Sequence, residues 1–165
     1  MTSDQVNHLF SITSTTLWSW LFPITYLFHI AEEFWGGEGY SAFLLKQRGI
    51  QLSPTRFLLV QAIGLALMIV GMILARRLQS PKLLTVILGA VVLVNGLNHT
   101  ILSLAHREYI PGLITSILLW IPLGIATLVG FRATMRGARY WLCVALGIAI
   151  NGFIELITSK AGHFF

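Results

Sequence analysis

Five stretches of this chain, roughly 15–35, 56–75, 83–105, 111–131 and 138–158, are apolar runs of membrane length. Each has about the 20 residues a helix needs to cross a hydrocarbon core of about 30 Å. Only helices and closed barrels satisfy their own backbone in lipid. None of the runs alternates apolar and polar residues, so strands are excluded. The reading is all-α, a polytopic membrane bundle of five transmembrane helices in a single domain over 1–165. Composition agrees: 10% of residues are charged and mean hydropathy is +0.79, where a soluble domain carries about 25% charged residues. The net charge of +5 comes from scattered Lys and Arg. No basic face with stacking aromatics exists for nucleic acid. The lone Cys143 excludes a disulfide within the chain and reads as a small core or lipid-facing residue.

Polar groups inside these runs are costly. A charge at the bilayer centre costs about 2.5–3.5 kcal/mol on insertion scales, so such residues mark function by default. The first run ends on His29-Ile30-Ala31-Glu32-Glu33, whose His and two Glu share one helix quadrant at i,i+3 and i,i+4 spacing. The negative end of a helix dipole disfavours acids. Two adjacent Glu there require a cation, a proton or a metal nearby. The bland alternative is a helix end that snorkels into headgroups.

Successive spans alternate in direction, which places the other unusual groups. Asn95, Asn98 and His99 lie late in the third run, and Asn151 and Glu155 late in the fifth. Tyr109, Pro111 and Thr115 open the fourth, and Gln61 lies early in the second. All fall in one leaflet with His29, Glu32 and Glu33, which points to a single buried polar site. Asn95, one turn before His99, is placed to fix its ring tautomer. Asn95 and Asn151 also serve equally well as interhelical glue. His8, His106 and His163 read as solvated. Asn95-Gly96 and Asn151-Gly152 align His99 with Glu155, a faint sign of duplication.

Pro23 should kink the first helix and Pro122 the fourth, while Pro111 suits a first helical turn. Trp18, Trp20, Trp35, Tyr140 and Trp141 lie near run ends, where amphipathic rings favour the interface. The segment 36–54 reads as a surface helix over 41–48 or as a lid. Six basic residues, Arg76, Arg77, Lys82, Arg132, Arg136 and Arg139, crowd two tight loops on one side. The positive-inside rule makes that side cytoplasmic. The expectation is an integral protein of a bacterial inner membrane, amino terminus inside, with the site toward the outer leaflet.

Three motifs in order carry a resemblance. His29-Ile30-Ala31-Glu32-Glu33, Asn95-Gly96-Leu97-Asn98-His99 and Tyr109-Ile110-Pro111-Gly112 make the chain resemble the HXXEE-domain family of integral membrane proteins. Its His-x-x-Glu-Glu, Asn-x-x-x-His and Tyr-x-Pro-Gly patterns span Ile24 to Gly112 here. The resemblance names site residues and no reaction.

The residues favour a metal centre. His29, Glu33, His99 and Glu155 are the expected ligands, a donor mix that suits Zn, Fe or Mn. Glu32, Glu33 and Tyr109 are the expected catalytic groups, and Asn95 and Asn151 would support a bound cofactor. A full di-iron set of four carboxylates and two His is missing, so one metal fits better. The substrate would be a lipid or another lipophilic small molecule entering from the bilayer. Two alternatives stand beside it: metal-free acid–base isomerisation by a buried Glu and His, and a non-catalytic lipid-binding or proton-relay protein.

Overall fold

The computed structural model describes residues 14–164, with side chains through 157. His8 and the side chains of Lys160 and His163 lie outside the described residues. Six helices follow a short helical stretch over 14–19. They are α1 (Leu21–Trp35), α2 (Tyr40–Arg48), α3 (Pro54–Arg77), α4 (Pro81–His106), α5 (Leu113–Arg132) and α6 (Gly137–Phe164).

Among the described residues, α3, α4, α5 and α6 are the four helices long and apolar enough to cross a membrane. The fifth expected span differs. It is interrupted by a turn at Trp20, leaving α1 with 15 residues. The cause is Pro23, which has no N–H for the Ser19 carbonyl and whose ring crowds that carbonyl. The 14–19 stretch nevertheless packs on the far end of the bundle. Ser19 Oγ meets Thr85 Oγ1 at 2.6 Å, and Trp18 Nε1 donates to Thr127 Oγ1 at 2.9 Å. Trp18 is therefore packed inward rather than set in a belt. So is Tyr140, 5% exposed, whose hydroxyl donates to the Leu128 carbonyl. Trp20, Trp35 and Trp141 are exposed as an interfacial position requires.

The central helix is α4, which packs chiefly on α5 and α6 and less on α3. Small residues permit the close approaches. A Cβ on Gly147 would lie 2.6 Å from both Ala90 Cβ and the Ile87 carbonyl oxygen. Cys143 joins Val86 and Tyr140 in one buried cluster. A second, built on Phe22, Met72, Leu88, Val92, Trp120 and Leu123, ties α1, α3, α4 and α5 together. The exposed face of α3, from Leu58 through Leu74, is almost wholly aliphatic, as a lipid-facing helix should be.

Two prolines act differently from the sequence reading. Pro111 precedes α5 in a turn and is fully buried, and α5 starts after Gly112. Pro122 follows a local change of winding. Ser116–Trp120 winds as a π segment just before it. A wider turn gives room where the proline ring would meet the carbonyl of the preceding turn. The 36–54 connection contains helix α2, closed at Gly49 in the left-handed region (φ 67°). Phe43 and Leu44 are buried under it, so it covers the bundle end that carries the polar groups.

Candidate metal centre

His29, Glu33 and His99 are buried, at 1%, 5% and 6% exposure. Their ligand atoms all lie within 4.8 Å of one another. Glu33 Oε1 stands 3.6 Å from His29 Nε2 and 3.5 Å from His99 Nε2. Both separations exceed a hydrogen bond. Two ligands sharing one ion at about 2.0–2.2 Å in tetrahedral array stand about 3.3–3.6 Å apart. The group can hold a metal ion.

Glu33 and His29 are held from behind. Glu33 Oε2 accepts from Gln61 Nε2 at 2.7 Å, and Gln61 Oε1 accepts from the Tyr26 hydroxyl at 2.6 Å. His29 Nδ1 meets Thr115 Oγ1 at 2.8 Å. The Thr115 hydroxyl in turn donates to Glu32 Oε2. A hydroxyl has one proton, and here the carboxylate takes it. Thr115 Oγ1 therefore accepts from His29 Nδ1–H, and the lone pair of Nε2 turns toward Glu33. Nε2 is buried with no hydrogen-bond partner. Trp120 stacks on the His29 ring at 3.6 Å between centroids and 25° between planes. The Pro111 carbonyl faces the His99 ring, though out of good hydrogen-bond geometry for Nδ1.

Glu32 answers the question posed by two acids at one helix end. It accepts from the backbone N–H of Ile114 at 2.8 Å, that of Thr115 at 2.6 Å, and the Tyr109 hydroxyl at 2.7 Å. Its charge lies at the positive end of α5, where a carboxylate is stabilised. Desolvation and the Glu32 carboxylate raise the Tyr109 phenol above its ordinary range, so it remains the donor. Glu33 has instead the two imidazoles and Gln61.

The Tyr-x-Pro-Gly turn is a wedge between the two histidines. Gly112 has φ +93°, and a Cβ there would stand 2.8 Å from His29 Cε1 and 2.9 Å from His99 Cε1. Only glycine meets both the backbone and the space.

The remaining expected residues divide. Glu155 and Asn151 line one cavity of about 120 Å³ with His29, Glu33 and His99. Glu155 is not in the group of mutually close ligand atoms, and its carboxylate lies 3.6 Å from Arg48 of α2. Asn95 makes no hydrogen bond to His99; its Oδ1 is buried and unpartnered. Asn151 accepts from Asn98 Nδ2 at 3.3 Å, which leaves its own Nδ2 unpartnered. A second cavity, about 330 Å³, lies beside α2 and reaches Glu33 past Glu38 and Ser41.

Sequence reasoning gave no role to Thr115, Gln61, Tyr26 or Trp120. Thr115 and Gln61 were visible as polar groups in the site's leaflet. Tyr26 and Trp120 look like ordinary span aromatics, and no local signal sets them apart.

A family model described as a protein of unknown function with HXXEE motif matches residues 20–127. No curated protein and no solved structure matches the chain. The matched region holds the three proposed ligands together with Glu32, Thr115 and the Gly112 wedge. The chain belongs to the HXXEE family.

Proposed function

We propose that this protein is a membrane-embedded, metal-dependent enzyme acting on a lipophilic substrate, with His29, Glu33 and His99 as the protein ligands. The observation that carries it is the pair of 3.5 and 3.6 Å separations around Glu33 Oε1. They are too long for hydrogen bonds and suit ligands of one ion. The Glu32–Thr115–His29 relay adds support, since metal-bound histidines commonly have their other nitrogen fixed this way. Two His and one carboxylate leave open positions, the pattern of catalytic zinc and of non-haem iron sites. A metal bound there would act as a Lewis acid or lower the pKa of water. Glu32 and Tyr109 position the site, and Glu155 faces the same cavity from α6.

The broken 14–35 segment serves as a fifth span in this reading. It runs from Ser19 beside Thr85 to Glu33 beside His99, the same depth that α4 covers. Basic loops at the far end favour a cytoplasmic amino terminus and a site toward the outer leaflet.

Metal analysis of purified protein tests the proposal. The expected result is a stoichiometric transition metal that is lost in His29→Ala and in Glu33→Gln. Chelator should lower the melting temperature of the wild type, because ligand binding to the folded state stabilises it. A metal-free protein whose melting is unmoved by chelator or by added Zn, Fe or Mn overturns it. One observation favours the acid–base alternative: Glu33 Oε1 lies within 3.6 Å of a nitrogen of each imidazole, the contact of a paired acid and base. In that case Glu33→Gln holds or raises stability while turnover disappears.

A further inference from the structure

Residues lining the cavity behind the metal group carry five buried polar atoms without a hydrogen-bond partner: His29 Nε2, His99 Nδ1, Trp120 Nε1, Asn95 Oδ1 and Asn151 Nδ2. Asn95 Oδ1 is a buried acceptor and Asn151 Nδ2 a buried donor, and both residues line the cavity. Asn151 is 1% exposed, and its Oδ1 is already engaged by Asn98. Buried polar groups left unpaired are costly, so such atoms point to an absent partner. That partner must accept from Asn151 and donate to Asn95. A hydroxyl or an amide does both, whereas a carboxylate only accepts and an ammonium only donates.

The cavity opens sideways. Its back wall is α4, through Val91, Val92 and Asn95, and its flanks are α3 and α6. Both flanking helices pack on α4, but among the described residues they make at most marginal contact with each other. Val60 of α3 and Ile154 of α6 line the cavity while being 57% and 45% exposed on the outside. The gap between them is therefore an aliphatic portal at the lipid-facing surface. The mouth toward the polar end is covered by Tyr40 and Leu52.

We propose that the site takes a single-chain lipid with an uncharged head bearing a hydroxyl or an amide. Asn95 and Asn151 hold the head against the metal group, and the chain leaves between α3 and α6. This rests on the enzyme reading above, of which it specifies the substrate class.

The test is saturable binding of tritiated dodecan-1-ol and of dodecanamide to the full chain in nanodiscs, measured against empty discs. The two probes separate the hydroxyl and amide sources of the same chemistry. At least one should bind saturably, and dodecanoate and dodecylamine should compete at least about tenfold more weakly. Asn151→Leu and Asn95→Leu should each weaken binding about tenfold, the loss expected for a hydrogen bond to a buried group. Val60→Trp should narrow the portal and weaken binding without touching the head. It keeps the test open if an asparagine variant does not fold. Metal content is measured on every sample. Retained metal with no saturable binding, with dodecanoate binding as well as the neutral probes, or with all three variants binding like wild type overturns the inference alone. Absence of metal in the wild type overturns the enzyme reading instead.

Discussion

At the scale of single residues, the site depends on where protons are held. Thr115 has one hydroxyl proton and gives it to Glu32, which obliges it to accept from His29. Thr115→Val removes that acceptor while conserving shape. Metal affinity should fall about 10–100-fold, the usual effect of losing such a support, with folding preserved. A competitive chelator titration measures it, and unchanged affinity would show that Thr115 does not orient His29. Gly112 sits at φ +93° against both imidazoles. Gly112→Ala should destabilise the protein by about 1–3 kcal/mol, the usual cost of overpacking, and displace the histidines. Thermal unfolding with metal analysis checks both parts. Asn95→Leu and Asn151→Leu should spare the metal, so the two sets of residues separate.

At the scale of elements, α2 is seated over the site by the buried Phe43 and Leu44 and tied down at its end by ion pairs. Arg48 reaches Glu155 at 3.6 Å, and Lys46 reaches Glu108 at 2.9 Å and Glu38 at 3.7 Å. All five side chains are at least 32% exposed, so each pair contributes less than about 1 kcal/mol. Arg48→Gln should leave the melting temperature nearly unchanged. Amide exchange over 40–48 should nevertheless quicken, since local opening has its own free energy. Exchange at the wild-type rate would mean that Phe43 and Leu44, not the ion pairs, hold α2 in place. The π segment Ser116–Trp120 belongs to the same scale. It lies between the turn that carries Gly112 and the proline at 122, and Trp120 at its end faces His29.

At the scale of the whole molecule, the bundle has a polar end and an apolar end. The buried cluster of Val86, Tyr140 and Cys143 closes the end near the basic loops. The metal group, Glu32 and α2 occupy the other. With cysteine probes in separate variants at Arg107 and Arg136, labelling from outside should reach the first and miss the second. The reverse pattern would invert the orientation without moving the site relative to the bundle. The same polarity argues against a transport path, because the hydrogen-bonded groups of the far end, Ser19, Thr85 and Thr127, are paired with one another or with the backbone or Trp18.

Much of this was legible in the sequence because burying charge in lipid is so costly. Apolar run lengths established helices, with ends within two residues of those of α3, α4 and α5 and of the start of α6, which runs on past 158. Alternating direction was enough to bring His29, Glu33 and His99 into one leaflet, and they do meet. What remained hidden depended on distances between helices. Whether Glu155 joined the ligands turned on Arg48, which lies on a connection with no hydrophobic period to read. The role of Glu32 turned on the start of α5, which Gly112 and its backbone set two residues after the position Pro111 implied. The break at Trp20 follows from Pro23, but only the tertiary structure sets Ser19 against Thr85. Local chemistry determines which residues cannot be left in lipid. Only the packed bundle decides which of them become partners, because hydrogen bonds and metal ligation act over a few ångströms and sequence spacing does not measure those.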